Sequence, residues 1–312
     1  MPSSKPSCPS RPASPRLPSW LKVKPPMGQA FAGTASVVAG QELHTVCRQA
    51  RCPNMAECFG KGVATFLILG GVCSRACGFC NITPGSPSPV DPGEPDRVAL
   101  AANKLGLRYA VITSVTRDDL PDGGAAHFAA TIRAVRRELS AAAAGPEAAS
   151  GAGPGVGVEV LIPDFQGSAE ALAVVLDANP SVLNHNLETV PELYSTVRPQ
   201  AVYARSLELL ARAKASGRAR VKSGLMLGLG ETREQLARVL SDLAGIGCDM
   251  VTVGQYLRPS RRNLPVVRYV PPEEFDEVAE LGRTLGIPVM YCGPLVRSSH
   301  DASSLLAEGR LP

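Results

Sequence analysis

The stretch Ala64-Thr65-Phe66-Leu67-Ile68-Leu69-Gly70-Gly71-Val72-Cys73-Ser74-Arg75-Ala76-Cys77-Gly78-Phe79-Cys80 decides how the chain is read. Residues 64–69 are a short apolar run stopped by a glycine pair, the pattern of a buried strand. Residues 73–80 then place three thiols in the spacing C-x3-C-x2-C. A buried strand that delivers reactive groups on the loop after it is the arrangement of a (β/α) barrel.

Upstream, Cys47, Cys52 and Cys58 form a second triplet spaced C-x4-C-x5-C, so six of the nine cysteines lie between residues 47 and 80. Structural zinc sites usually draw four ligands from C-x2-C knuckles, and neither triplet has that form. Thiolate triplets suit iron–sulfur cubanes, whose four irons each need a ligand, so three cysteines leave one iron open to a substrate, a cofactor or a weaker protein ligand. Buried small hydrophobes or a disulfide framework are the competing readings. An odd cysteine count in a long chain without a secretory signal is a poor disulfide scaffold.

From residue 64 onward, short apolar runs alternate with helical stretches, which implies parallel strands joined by crossover helices. Strands are expected near residues 64–69, 108–113, 156–161, 182–186, 220–227 and 250–254, with a further short one near 288–291. Helices are expected near 96–105, 124–139, 169–177, 203–216, 233–245 and 272–285. Six main strands make an incomplete barrel, so the expected fold class is α/β, a partial (β/α)6 TIM-type barrel. An N-terminal cluster-binding extension precedes it and a C-terminal tail closes its mouth. The expected divisions are 1–17, a disordered Pro- and Ser-rich extension in which Cys8 is incidental; 18–62, the segment of the first triplet; 63–292, the barrel; and 293–312, the C-terminal segment. A transit peptide is the other reading of the first residues, against which their prolines argue. Residues 140–157, rich in Ala and Gly, read as a helix tail followed by a loop.

The chain has 312 residues, a net charge of +4 and an aromatic fraction of 4 %. The core must therefore be built from Ala, Val, Leu and Ile, and the charge is too mild for a nucleic-acid partner. No apolar run approaches the roughly 20 residues needed to cross a bilayer. A thiol-rich centre also calls for a reducing compartment, and the cytoplasm is expected.

Gly70 to Cys80, with an aromatic before the last cysteine, resembles the cluster loop of radical S-adenosylmethionine (SAM) enzymes. With Cys47, Cys52 and Cys58 upstream, the chain is similar to the lipoyl synthases among them. The resemblance continues through residues 113–124 (TSVTRDDLPDGG), 184–189 (NHNLET), 222–226 (KSGLM), 254–257 (GQYL) and 293–299 (GPLVRSS), and covers about residues 18 to 300. It implies two [4Fe–4S] clusters. One is held by Cys73, Cys77 and Cys80, with SAM chelated to its open iron and cleaved by one electron to a 5′-deoxyadenosyl radical. The other is held by Cys47, Cys52 and Cys58 and is dismantled as the sulfur donor. The reaction implied is insertion of two sulfurs, at C6 and C8 of an octanoyl chain on a lysine of a lipoyl carrier protein, consuming two SAM. An electron donor such as a ferredoxin or flavodoxin and an iron–sulfur cluster carrier are the further implied partners. Methylthiotransferases and biotin-synthase-like enzymes are the alternatives within the superfamily, and a two-cluster electron carrier the alternative outside it.

Candidate SAM contacts are Phe79, Thr113, Arg117, Asp118, Gly123, Gly124, Asn186 and Glu188. Each has a plainer reading: Phe79 as packing, Arg117, Asp118 and Asp119 as a solvated loop, and the glycines as the turn that starts a helix at Ala125. His185 is expected to be a satisfied core histidine, and Cys248 and Cys292 small core residues. Ser299 is the candidate fourth ligand of the second cluster, because a serine oxygen matches iron in a sulfide cubane less well than thiolate and so yields more readily. Ser298 and His300 compete with it; His300 stands where the family's Arg-Ser-Ser-Tyr ending has tyrosine. Arg258, Arg261, Arg262 and Arg268 form a basic segment, either a solvated loop or a docking edge for an acidic carrier domain.

Overall fold

The computed structural model describes residues 16–23, 28–143 and 156–299. Cys8, most of the 1–17 extension, the centre of the Ala- and Gly-rich loop and His300 lie outside the described residues.

The chain enters through helix α1 (Gln29–Gly40), the two-residue strand β1 (His44–Thr45), and short helices α2 (Val46–Gln49) and α3 (Met55–Gly60). Strand β2 (Thr65–Ile68) follows, then a small ladder of β3 (Val72–Cys73) and β4 (Thr83–Pro84) that brackets the cysteine loop. Next come helix α4 (Glu94–Lys104), β5 (Tyr109–Ser114), α5 (Ala125–Ala143), β6 (Gly157–Leu161), α6 (Ala169–Asp177) and β7 (Val182–Asn184). The barrel ends with α7 (Tyr194–Val197), α8 (Tyr203–Ser216), β8 (Arg220–Leu227), α9 (Arg233–Gly245), β9 (Met250–Gln255), α10 (Pro272–Thr284) and β10 (Val289–Gly293).

The main sheet runs β1-β2-β5-β6-β7-β8-β9-β10, parallel throughout except for β1, which is antiparallel to β2. The six expected strands are all present. The short seventh, β10, pairs with β9 through five residues, from Val289 opposite Met250 to Gly293 opposite Gly254. Strand β7 stops at Asn184, two residues short of the expected end, because the chain then turns so that Glu188 bridges Leu225 instead. Helix α5 runs on to Ala143, past its expected end, since the alanines there sustain a helix without needing a partner.

Strand side chains alternate with period two. Ala110, Ile112, Val158, Val160, Leu183, Val221, Val251 and Val253 face outward into the large core formed with the helices. Tyr109, Val111, Val182 and Met250 face inward and form a small apolar floor. Above that floor the interior turns polar, with Glu159, Asn184 and Lys222 all buried. Helices were given start signals in sequence: Ser168 caps α6 through Ala171 N, and Thr232 with Gln235 closes a capping box on α9.

Candidate active site at the barrel mouth

A cavity of about 480 Å³ opens where the parallel strands end. Cys52, Cys73, Cys77, Cys80, Arg297, Ser298 and Ser299 line it, so both thiol groups and the C-terminal segment meet at one mouth. Its volume lies in the ordinary range for small-molecule sites.

The second triplet is held by backbone donors. Cys73 Sγ accepts from Arg75 N at 3.4 Å and Thr116 N at 3.3 Å, and Cys80 Sγ accepts from Ile82 N at 3.4 Å. Such N–H···S contacts stabilise the anionic sulfur a cluster needs. The loop itself is anchored by Arg75, which reaches Asp118 at 2.6 Å and Asp164 at 2.6 Å while only 6 % exposed. Burial alone would raise the Asp164 carboxyl, but Arg75 and its neighbours hold it down to about 2. Arg205 adds a further bond to Asp164 at 2.9 Å. On the other side, Asn263 Nδ2 donates to the carbonyl of Cys80 at 2.7 Å, and Leu264 N donates to that of Gly78 at 3.0 Å.

The first triplet sits on α2 and α3 and the turn between them. Its thiols are near neighbours: Cys58 is pushed up to about 12, first by burial and then by Cys47 and Cys52. Burial likewise pushes Cys47 and Cys77 to about 11 and Cys80 to about 12. All eight cysteines among the described residues are free thiols. No three metal-binding side chains among those residues close around a single ion; each cubane iron takes one thiolate, so a triplet has no need to converge. The donor set of both triplets therefore fits a cubane. Because each thiol must lose a proton on binding iron and burial holds these thiols up at about 11 to 12, assembly with iron and sulfide is expected to speed up as pH rises and to be still climbing above about pH 9; a pH-independent rate would contradict proton loss on binding.

The C-terminal segment crosses the mouth. Gln255 N donates to Pro294 O at 3.3 Å and Asn54 Nδ2 to Leu295 O at 2.7 Å, tying it to a strand end and to the first triplet. Burial lowers the Arg297 guanidinium, with Cys52 as the opposing neighbour, which places Arg297 beside the first triplet. Ser298 and Ser299 both line the cavity, and the Ser298 hydroxyl is already engaged, accepting from Asn186 Nδ2 at 2.8 Å.

Of the candidate SAM contacts, Phe79, Thr113, Asn186 and Glu188 line the cavity. Glu188 has a left-handed backbone (φ 67°) and accepts from Asn186 Nδ2 at 3.2 Å; burial raises its carboxyl, against the pull of Arg198. Thr113 donates its hydroxyl to Leu161 O at 2.9 Å. Arg117, Asp118, Gly123 and Gly124 are not on the cavity wall and have structural partners instead. Arg117 binds Asp119 at 2.8 Å, and Asp118 is taken up by Arg75. Gly123 and Gly124 have positive φ; a Cβ on Gly124 would lie 2.4 Å from Leu69 Cδ1, so Gly124 seats α5 against the end of β2, while a Cβ on Gly123 would lie 2.9 Å from Phe165 Cδ1. His185 is a core histidine, its ring bonded to Ile162 O at 2.8 Å and Ser206 Oγ at 2.9 Å, and burial lowers it to about 4. Sequence reasoning passed over Arg75, Asp164, Arg198 and Asn263. Arg75 stood inside the triplet as a signal; the others lie far away in the chain and carry none.

Substituting Asp164 by Asn should strip Arg75 of its buried partner. We expect a stability loss of about 3 kcal/mol and reduced iron on the Cys73 triplet. Unchanged thermal unfolding and iron content would show that the network is dispensable.

A partial parallel barrel with a thiolate triplet after its first strand is the architecture of radical SAM enzymes, and the sequence pattern of the Radical SAM superfamily matches residues 67–243. The pattern of the N-terminal domain of lipoyl synthase of the Radical_SAM family matches residues 8–52. Lipoyl synthase of Oleidesulfovibrio alaskensis is 57 % identical over 293 residues, 94 % of this chain and 96 % of the relative. That of Chlorobium chlorochromatii is 50 % identical over 290 residues, 93 % of this chain and 94 % of the relative. The chain belongs to the lipoyl synthase family of the radical SAM superfamily. Among solved structures, Streptococcus suis SuiB bound to S-adenosylmethionine shares the fold, with a TM-score of 0.55 and 10 % identity over 77 % of this chain; the match spans about half (53 %) of SuiB. No helix among the described residues is long and apolar enough to cross a membrane.

Proposed function

We propose that this chain inserts two sulfur atoms, at C6 and C8 of an octanoyl chain held on a lysine of a lipoyl carrier protein. Cys73, Cys77 and Cys80 hold the [4Fe–4S] cluster that engages SAM, and Cys47, Cys52, Cys58 and Ser299 hold a second. When bound, the first cluster with SAM supplies a one-electron route to a hydrogen-abstracting carbon radical, used once per sulfur, and the second supplies the sulfur. The carrying observation is that Cys52 and the Cys73 triplet line one cavity together with the Arg297-Ser298-Ser299 segment.

The protein's own part is to bind, orient and exclude water. Phe79 packs with Tyr256, Val266 and Leu264 into an apolar wall beside the cysteine loop, shielding it from solvent. Asn186, Glu188 and Thr113 meet the polar groups of SAM, a role supported by their all lining the cavity. Leu67, Val111, Leu161 and Leu225 line the same cavity and offer an acyl chain apolar contact. Residues 18–62 serve as the second-cluster segment, 63–292 as the barrel, and the C-terminal segment, described from residue 293 to 299, as its closing tail. A ferredoxin- or flavodoxin-like reductant, a cluster carrier and a reducing cytoplasm complete the reading.

Anaerobic incubation with an octanoyl-lysine peptide, SAM and a reductant, followed by mass spectrometry, tests it. Two added sulfurs are expected; cleavage of SAM with no sulfur added would overturn it.

The basic segment contributes unevenly to carrier docking. Arg262 donates to Asn81 O at 2.7 Å and so clips the cysteine loop, and Arg268 forks onto Glu274 at 2.9 Å. Arg261 is exposed and is the cation to test. Arg261→Glu should raise KM for octanoyl-carrier protein about threefold at low salt, with the effect fading as salt rises. Equal losses on a short octanoyl-lysine peptide would point away from docking.

A further inference from the structure

The barrel interior holds a buried ion pair that the chemistry above does not use. Glu159 on β6 and Lys222 on β8 face inward across β7, with Lys222 Nζ 2.9 Å from Oε1 and 3.3 Å from Oε2. Tyr109 donates its hydroxyl to Glu159 Oε2 at 2.9 Å, and Asn184 Nδ2 donates to Oε1 at 3.4 Å. Glu159 and Asn184 are fully buried and Lys222 is 2 % exposed. Barrel interiors are ordinarily packed with branched aliphatic side chains, and stripping two charges of water costs several kcal/mol per ion before their attraction is counted. Such a pair is weak as a source of stability, so its specific contacts carry its meaning.

Lys222 makes one further contact, donating to the carbonyl of Ser298 at 2.5 Å. Asn186, just past the end of β7 and on the cavity wall, donates to the hydroxyl of that serine at 2.8 Å. Ser298 is thus gripped through both its main chain and its side chain from the barrel interior, and Ser299 is the next residue. We infer that Glu159, Lys222 and Asn186 are positioning residues that set Ser299 as a ligand of the second cluster, Glu159 aiming Lys222 and Lys222 and Asn186 acting through Ser298. The inference rests on the reading of Ser299 given above. Directed donors onto the tail are what precise placement requires, because a hydroxyl matches iron weakly and does not find its own position. The arrangement also lets the tail yield. If the Ser298 carbonyl moves away, Lys222 keeps Glu159 as its partner, so no buried charge is left unpaired as the cluster gives up sulfur.

The test isolates the second cluster in the full chain carrying Cys73→Ala, Cys77→Ala and Cys80→Ala, reconstituted with iron and sulfide. Iron release to a chelator and the Mössbauer spectrum are compared among this parent, Ser299→Ala, Glu159→Gln with Lys222→Met, and all three substitutions together. The Glu159→Gln and Lys222→Met pair removes both charges at once; the glutamine oxygen still accepts from Tyr109, and its amide group donates to Asn184 Oδ1, which has no hydrogen-bond partner in the parent, once the Asn184 amide turns over, so the core stays paired, and melting temperatures check this. Ser299→Ala should release iron about tenfold faster and lose the spectral component of the oxygen-ligated iron, in line with the effect of removing partners that orient ligands. The double substitution should reproduce both changes to within about twofold, and adding Ser299→Ala to it should bring no further acceleration. No change in Ser299→Ala would overturn the ligand reading and this inference with it. A fast Ser299→Ala beside a parent-like double substitution would leave the ligand and overturn the positioning role. Additive accelerations would show that the ion pair acts on general stability instead.

Discussion

Replacing Cys73, Cys77 and Cys80 together by alanine is expected to abolish SAM cleavage and to leave roughly half the iron, since on the function proposed above the three thiols hold one of two separate clusters. Each triplet has its own neighbours, backbone donors and Arg75 for the one, α2 and α3 for the other. Replacing Cys47, Cys52 and Cys58 should take the other half of the iron, retain SAM cleavage and end sulfur insertion. The measurements are iron and sulfide per chain, 5′-deoxyadenosine formed and lipoyl product in a single turnover. Lipoyl product from the second variant would refute the donor assignment. Loss of all iron in either variant would show one shared site.

Gly254→Ala is expected to have the next largest effect, although the substitution adds one methyl group to the end of a strand. A Cβ there would lie 2.1 Å from the carbonyl oxygen of Val296 and 3.0 Å from the guanidinium of Arg297. The first of these is backbone and cannot rotate away, so residues 294–299 must lift from the strand end. Displacing a ligand or reacting group by about 1 Å commonly costs on the order of a hundredfold in rate, and sulfur insertion should fall by that order. The barrel should melt close to the parent temperature, because β9 is paired on both sides regardless of the tail. Full activity in Gly254→Ala would mean that the tail's seat on β9 is unimportant. A large fall in melting temperature would place the damage in the sheet.

Much of the barrel was legible because its signals are local. The period-two run from Arg220 to Leu227 and the period-3.6 faces of α8 and α9 are set by neighbouring residues, and those elements begin and end where expected. Helix α1 carried no such signal. Its run QAFAGTASVVAG is small and apolar on every side, and its place is set by packing against α3, where Phe31 meets Phe59 at 5.3 Å. The two cysteine triplets were legible for a different reason: the spacing of ligands on one short loop is itself the chemistry.

What the sequence by itself determined, then, is the alternation that makes a parallel barrel, the two triplets, and a family resemblance that the relatives bear out. What only the tertiary structure decided is who partners whom across the chain. Arg117 and Asp118 are adjacent charges in one motif, yet one turns to Asp119 and the other binds Arg75, 43 residues away. Lys222 stood in the KSGLM run that carries the family resemblance and proves to span from Glu159 to Ser298, contacts 63 and 76 residues long. The physical reason is that a hydrogen bond or ion pair depends on where two groups stand in space and on how much water surrounds them. Neither is set by near neighbours in the chain; both appear only once the strands have closed around the interior.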